Sequence, residues 1–190
     1  MPFIPFRSAL LLLCAPLAVA ACQPRAPSAS SPAPVPPAER FTVLPVSEAP
    51  QVLGSCSPLP GGDELGVRGA WLPDPPLVAQ VEARLPVLLD SVLPMMTRAN
   101  GIEHVVRGDD YYRQYLGLEV ESRRMVYVHG FHESLLRVFA RSGLDVVPWR
   151  SEHMSVCDAG GGMFGVFYDP GSGTFGRLEF SDSYNGAVRY

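Results

Sequence analysis

No lysine occurs in this chain; all fifteen basic side chains are arginine. That absence excludes Schiff-base lysines, a Walker-type phosphate lysine and Ser-x-x-Lys nucleophile activation. A basic cluster is missing too. A formal charge of −4 with 18% charged residues leaves no electrostatic footprint for nucleic acid. No apolar run reaches the roughly 20 residues that a comfortable bilayer span needs. There is no internal repeat, no CxxC pair and no zinc-type ligand spacing. Cysteine is scarce, and its four copies sort by position.

The first of them, Cys14, lies in an apolar run from Ser8 to Ala21 that follows Arg7 and contains Leu10, Leu11, Leu12 and Leu13. The run closes on Leu17-Ala18-Val19-Ala20-Ala21-Cys22. Small residues after a short apolar core are the mark of an export signal. The segment resembles a bacterial lipoprotein signal peptide. The resemblance implies that residues 1–21 are removed and that Cys22 carries lipid as the first mature residue. Gln23 in place of an aspartate then favours the outer membrane over inner-membrane retention.

Residues 22–40 continue as a Pro-, Ala- and Ser-rich tether with Pro24, Pro27, Pro32, Pro34, Pro36 and Pro37. Such a stretch buries too little apolar surface to offset its ordering entropy. It would span roughly 25 Å as coil, or about 55 Å as polyproline II. Residues 41–190 are then one domain, near the modal size for a single core. In an exported, oxidising compartment Cys56 and Cys157 are expected to form a disulfide, the alternative being two separate thiols, one buried and one reactive. The closed loop of roughly 100 residues would contribute about 4.7 kcal/mol in the chain-entropy picture.

Hydrophobic periodicity supplies the elements. Asp74-Pro75-Pro76 is an N-cap followed by prolines of a first turn. Leu77, Val78, Val81, Leu85, Leu88, Leu89, Val92 and Met96 follow as one apolar stripe. Pro86 should kink or break this helix, Pro94 should disturb its last turns, and Asn100-Gly101 should stop it. Phe41 to Val46 reads as a short strand interrupted by Pro45, and residues 47–70 as irregular. Period-two patterning marks strands over Tyr112–Val120 and Met125–His132. Glu133 to Arg141 is a short helix ended by Gly143. Three more strands are expected, His153–Asp158, Met163–Tyr168 and Thr174–Phe180, the last two joined by a turn at Asp169-Pro170-Gly171-Ser172-Gly173. The fold class is α+β: one long, kinked helix on a mostly antiparallel sheet of about five strands, with a short second helix. Arg113-Gln114-Tyr115-x-Gly117, Val156-Cys157-Asp158 and Gly165-Val166-Phe167-Tyr168-Asp169 resemble exported bacterial proteins of unknown function across residues 70–180. That resemblance implies the fold and no activity.

Candidate chemistry is sparse. His129, His132 and Glu133, with His153, could ligate a metal or serve a hydrolase. Yet His129 and His132 are an odd number apart, so a strand points them to opposite faces. Asp109-Asp110 and Glu119/Glu121 offer carboxylates without a sign of a cleft. Ser155 and Cys157 near His153 lack a nucleophile elbow, and Gly160-Gly161-Gly162 leads into a strand rather than a phosphate-binding helix. The strand face with Arg113, Tyr115, Glu119, Phe175, Arg177 and Glu179 is a candidate binding face, because arginine and tyrosine are enriched at interfaces. The plainer readings are a solvated face or one covered by residues 41–70. No cofactor is expected. The functional expectation is a membrane-anchored envelope lipoprotein acting as a non-catalytic binding or structural module for an envelope protein, peptide or cell-wall partner. The alternative is an envelope hydrolase or metal-binding protein using His129, His132, Glu133 and His153.

Overall fold

A computed structural model of the chain describes residues 40–54, 56–59, 65–99, 107–143, 148–157 and 159–181, with the backbone alone at 94–99 and 177. The export signal, Cys22, the tether up to residue 39, the Asn100-Gly101 stop and Asp158 lie outside the described residues.

Among the described residues six strands form a single sheet: β1 (Phe41–Val43), β2 (Val67–Trp71), β3 (Tyr111–Val120), β4 (Arg123–His132), β5 (Met163–Asp169) and β6 (Thr174–Phe180). The order is β1-β3-β4-β5-β6, and β2 pairs with β3 beyond the end of β1. Only β1 runs parallel to its neighbour, with Phe41 opposite Arg113 and Val43 opposite Tyr115. The β3–β4 hairpin turns at Glu121 and Ser122, which both take positive φ (48° and 68°). Such a pair of left-handed residues matches the right-handed twist of the flanking strands. The β5–β6 turn closes with Gly173 at φ 70° and its amide donating to the Asp169 carbonyl.

Among the described residues four α-helices accompany the sheet: α1 (Ala49–Val52), α2 (Pro75–Glu82), α3 (Leu85–Ala99) and α4 (Glu133–Arg141). Asp74 caps α2 as its sequence predicts, its Oδ1 accepting from the Leu77 amide at 2.9 Å. The break expected at Pro86 falls at Ala83-Arg84, so that Pro86 sits in the first turn of α3, where its missing N–H has no partner to lose. Pro94 does not end the helix, which continues to Ala99. α4 has the boundaries expected, and Gly143 (φ 65°) follows it.

Both sheet faces are covered. Val78, Val81, Leu85, Leu89, Val92 and Leu93 of α2 and α3 pack on Tyr111, Tyr115, Val126, Val128, Val166 and Tyr168. On the opposite face Leu44, Val52 and Leu59 cover Leu116, Leu118, Val120 and Tyr127. Farther along that face, Tyr112, Phe131, Met154 and Met163 are covered by Leu135, Leu136 and Phe139 of α4 and by Trp149.

Two sequence expectations change. The segment 47–70, read as irregular, contains α1 and β2. Val67-Arg68-Gly69-Ala70-Trp71 has no clean alternation, and β2 forms because that half of β3 has an open edge to pair with. Residues 153–157, read as a strand, are extended chain and turn outside the sheet. The 148–157 segment, the strap below, crosses a sheet face and offers no ladder.

Cys56 and Cys157 are disulfide-bonded, their Cα atoms 4.8 Å apart across a sequence separation of 101. The bond joins the strap to the segment that covers Leu116 and Leu118. Cys56→Ser with Cys157→Ser should lower unfolding free energy by about 2–5 kcal/mol in urea titration. An unchanged midpoint would mean the link constrains neither state.

Candidate functional site

The candidate binding face is not an open surface. Arg113 is 2% exposed and Tyr115 fully buried, both on the face that α2 and α3 cover. Glu82 of α2 explains why this polar face takes the helices. Its carboxylate accepts from Arg113 Nε at 2.7 Å and Nη2 at 2.8 Å, and from the Tyr115 hydroxyl. Burial alone would make Arg113 easier to deprotonate, but its hydrogen bonds and charge pairing with Glu82 win and raise its pKa. Burial, reinforced by Glu82, likewise raises the Tyr115 phenol well above 10. Phe175 packs edge-on against Tyr168 at 5.1 Å in the same core. Glu119 is exposed at the end of β3. The side chain of Arg177 lies outside the described residues. The expectation of one recognition surface over Arg113, Tyr115, Glu119, Phe175 and Arg177 is therefore corrected: its centre is the helix–sheet interface. The cover is α2–α3, with Phe41 edge-on to Tyr115 beside it, whereas Leu44, Val52 and Leu59 of the 41–70 segment lie on the other face.

The histidine set divides. His132 ends β4 and caps α4, its Nδ1 accepting from the Ser134 amide at 3.2 Å and lying 2.8 Å from the Ser134 hydroxyl. Burial lowers its pKa against the opposing pull of Asp110 and Glu133. Glu133 pairs with Arg137 at 2.7 Å and Arg40 at 3.2 Å. Burial would raise its pKa, but these two arginines win and hold it low. His129 points to the opposite face, as the odd spacing requires, and there it meets His153.

The ring centroids of His129 and His153 are 4.6 Å apart at an interplanar angle of 52°. His129 is 0% exposed and His153 6%. Neither ring nitrogen of either residue makes a sound hydrogen bond among the described residues. Burial, then the neighbouring His153, lowers the His129 pKa well below 6.5, although backbone near Met154 and Phe164 acts in the opposite sense. Burial holds His153 down at about 4. Both imidazoles are thus neutral at ordinary pH. Among the described residues no three or more His, Cys, Asp or Glu side chains converge as a metal site.

Strand register places His129 in a polar row that crosses the sheet. Thr42 lies opposite Gln114, Gln114 opposite His129, His129 opposite Gly165, and Gly165 opposite Glu179. An apolar cluster flanks this row on each side. The strap lies along it. Thr42 Oγ1 donates to the Arg150 carbonyl at 2.8 Å. Gln114 Nε2 donates to the carbonyls of Trp149 and Glu152 at 2.5 and 2.7 Å, and its Oε1 accepts from the Met154 amide at 2.9 Å. The His153 amide donates to Glu48 at 2.9 Å. Beyond His129 the Tyr127 and Ser57 hydroxyls meet at 3.1 Å.

Gln114, Glu48, Ser57 and Tyr127 were not singled out from sequence. One signal was there to read: His129 sits between Tyr127 and Phe131 on one strand face, a polar group in an apolar row. No family model, curated protein or solved structure matches this chain.

Proposed function

We propose that this chain is an exported, lipid-anchored envelope protein whose folded head is a non-catalytic binding or structural module. The observation that supports it is the Cys56–Cys157 disulfide, a bond that persists in oxidising compartments. It agrees with an N-terminus that reads as an export signal ending at Cys22, and with the proline-rich tether after it. No helix among the described residues is long and apolar enough to cross a membrane. The partner is an envelope protein, a peptide or the cell wall.

Fractionation tests the reading. Wild-type protein should sediment with membranes, lack residues 1–21 by mass spectrometry, carry acyl mass on Cys22 and show no free thiol at Cys56 or Cys157. Cys22→Ala should shift most of it to the soluble fraction. Recovery of full-length, reduced protein from the cytosol would overturn the proposal. The metal-binding or hydrolase alternative loses its shared site, because His132 points to the face opposite His129 and His153, and Glu133 is engaged by Arg40 and Arg137. The buried pair alone keeps a metal role open to test. Metal analysis of protein purified without added metal should show no stoichiometric metal. Stoichiometric metal that disappears in His129→Ala would favour the alternative.

A further inference from the structure

We propose that the His129–His153 pair is an acid-sensitive latch: protonation releases the 148–157 strap and uncovers the polar row with the aromatic cluster beside it. The inference goes beyond anchoring and does not depend on it.

The strap is held to the sheet by side-chain hydrogen bonds and packing. It makes no strand ladder with the sheet. Its polar attachments include those to the side chains of Thr42, Gln114 and Glu48. Its apolar attachments are Met154, Val156 and Trp149, and Trp149 sits edge-on to Tyr112 at 5.0 Å and to Phe131 at 5.8 Å. Segments held by few contacts open at lower free energy than the core. The disulfide to Cys56 would keep a released strap tethered at one end.

The histidine pair sits midway along these attachments. A proton on either ring places a charge at a buried position, and protons on both place like charges side by side. The titratable groups on the elements packed around the pair are Glu48 from the covering segment, Glu152 beside His153 on the strap, Tyr127 on β4, and Glu179 on β6. Glu48 is engaged by the His153 amide, and Glu179 lies beyond Gly165 in the row. Burial raises the Tyr127 phenol, which therefore stays neutral. The sign follows from linkage. A detached imidazole titrates near 6.5, whereas His153 beneath the strap is held at about 4. The open form therefore binds protons first as pH falls from about 6.5, and the bias toward opening grows until the closed form also protonates.

Trp149 and Trp71 are the two tryptophans, so Trp71→Phe leaves the strap with the sole indole. In the full-length Trp71→Phe protein, Trp149 emission should shift to the red between about pH 6.5 and 4, while far-UV circular dichroism stays unchanged. Protection of the amides of residues 149–157, relative to their intrinsic exchange at each pH, should fall at least tenfold over the same range, with β3 and β4 still protected. His129→Leu with His153→Leu should remove both changes. Where that double variant does not fold, His153→Gln alone should move the midpoint down by at least half a pH unit. Glu48→Gln should leave the transition in place. The latch is overturned if emission and circular dichroism change together, if the histidine variants keep the wild-type transition, or if Glu48→Gln abolishes it.

Discussion

Replacing Glu82 with alanine should cost about 3–5 kcal/mol of stability, measured by urea unfolding at pH 7. The reason is the charge left behind. Arg113, 2% exposed, holds Glu82 through two parallel bonds and spends its remaining Nη1 donor on the Tyr111 carbonyl at 2.9 Å. Without the carboxylate, a buried guanidinium between α2 and the sheet loses its hydrogen-bonded counter-charge, and the Tyr115 hydroxyl loses its acceptor as well. Glu82→Gln retains an acceptor and should cost less. Glu82→Leu combined with Arg113→Met and Tyr115→Phe removes all three polar members at once. It should recover most of the loss, because an apolar replacement of a buried ion pair is often neutral or better. If Glu82→Ala alone unfolds at the wild-type midpoint, the pair does not dock α2.

Gly165→Ala should be comparably damaging, at about 3 kcal/mol or more. A methyl group there would overlap the Pro58 carbonyl oxygen, with the Pro58 carbonyl carbon and the Tyr127 hydroxyl each at 2.8 Å. The obstacle is backbone, not the free end of a side chain. Pro58 is also two residues from Cys56, which the disulfide ties to the strap, so its room to retreat is limited. Gly161→Ala is the matched control. Among the described residues no atom beyond its chain neighbours lies within 4 Å of its added carbon, and its stability should stay within about 0.5 kcal/mol of wild type. Equal effects at the two glycines would show that the Pro58 segment yields easily and is not a rigid cover.

What was legible in the sequence was local. The Asp74 cap, the α4 boundaries, the β3–β4 and β5–β6 hairpins and the apolar stripe of α2–α3 each depend on residues a few positions apart. The Cys56–Cys157 bond was legible for another reason, as the remaining pair once Cys14 and Cys22 are set aside. The misreadings share a different cause. β2 lacks alternation and exists through pairing with β3, whereas residues 153–157 read as a strand yet find no strand edge. The face of Arg113 and Tyr115 looked solvent-facing because its polar groups were visible and their partner, Glu82, was thirty-one residues away from Arg113.

By itself, the chain's sequence determined the α+β class, the Asp74 cap and the hairpin turns, because short-range sterics and periodicity suffice for these, and it gave the pairing of Cys56 with Cys157 by elimination. The tertiary structure alone decided which sheet face the helices took, that Arg113 is an internal ion pair, and that His129 meets His153 over a polar row. Those outcomes depend on burial and on groups brought together from distant segments, and no local pattern encodes the desolvation that gives them their chemistry.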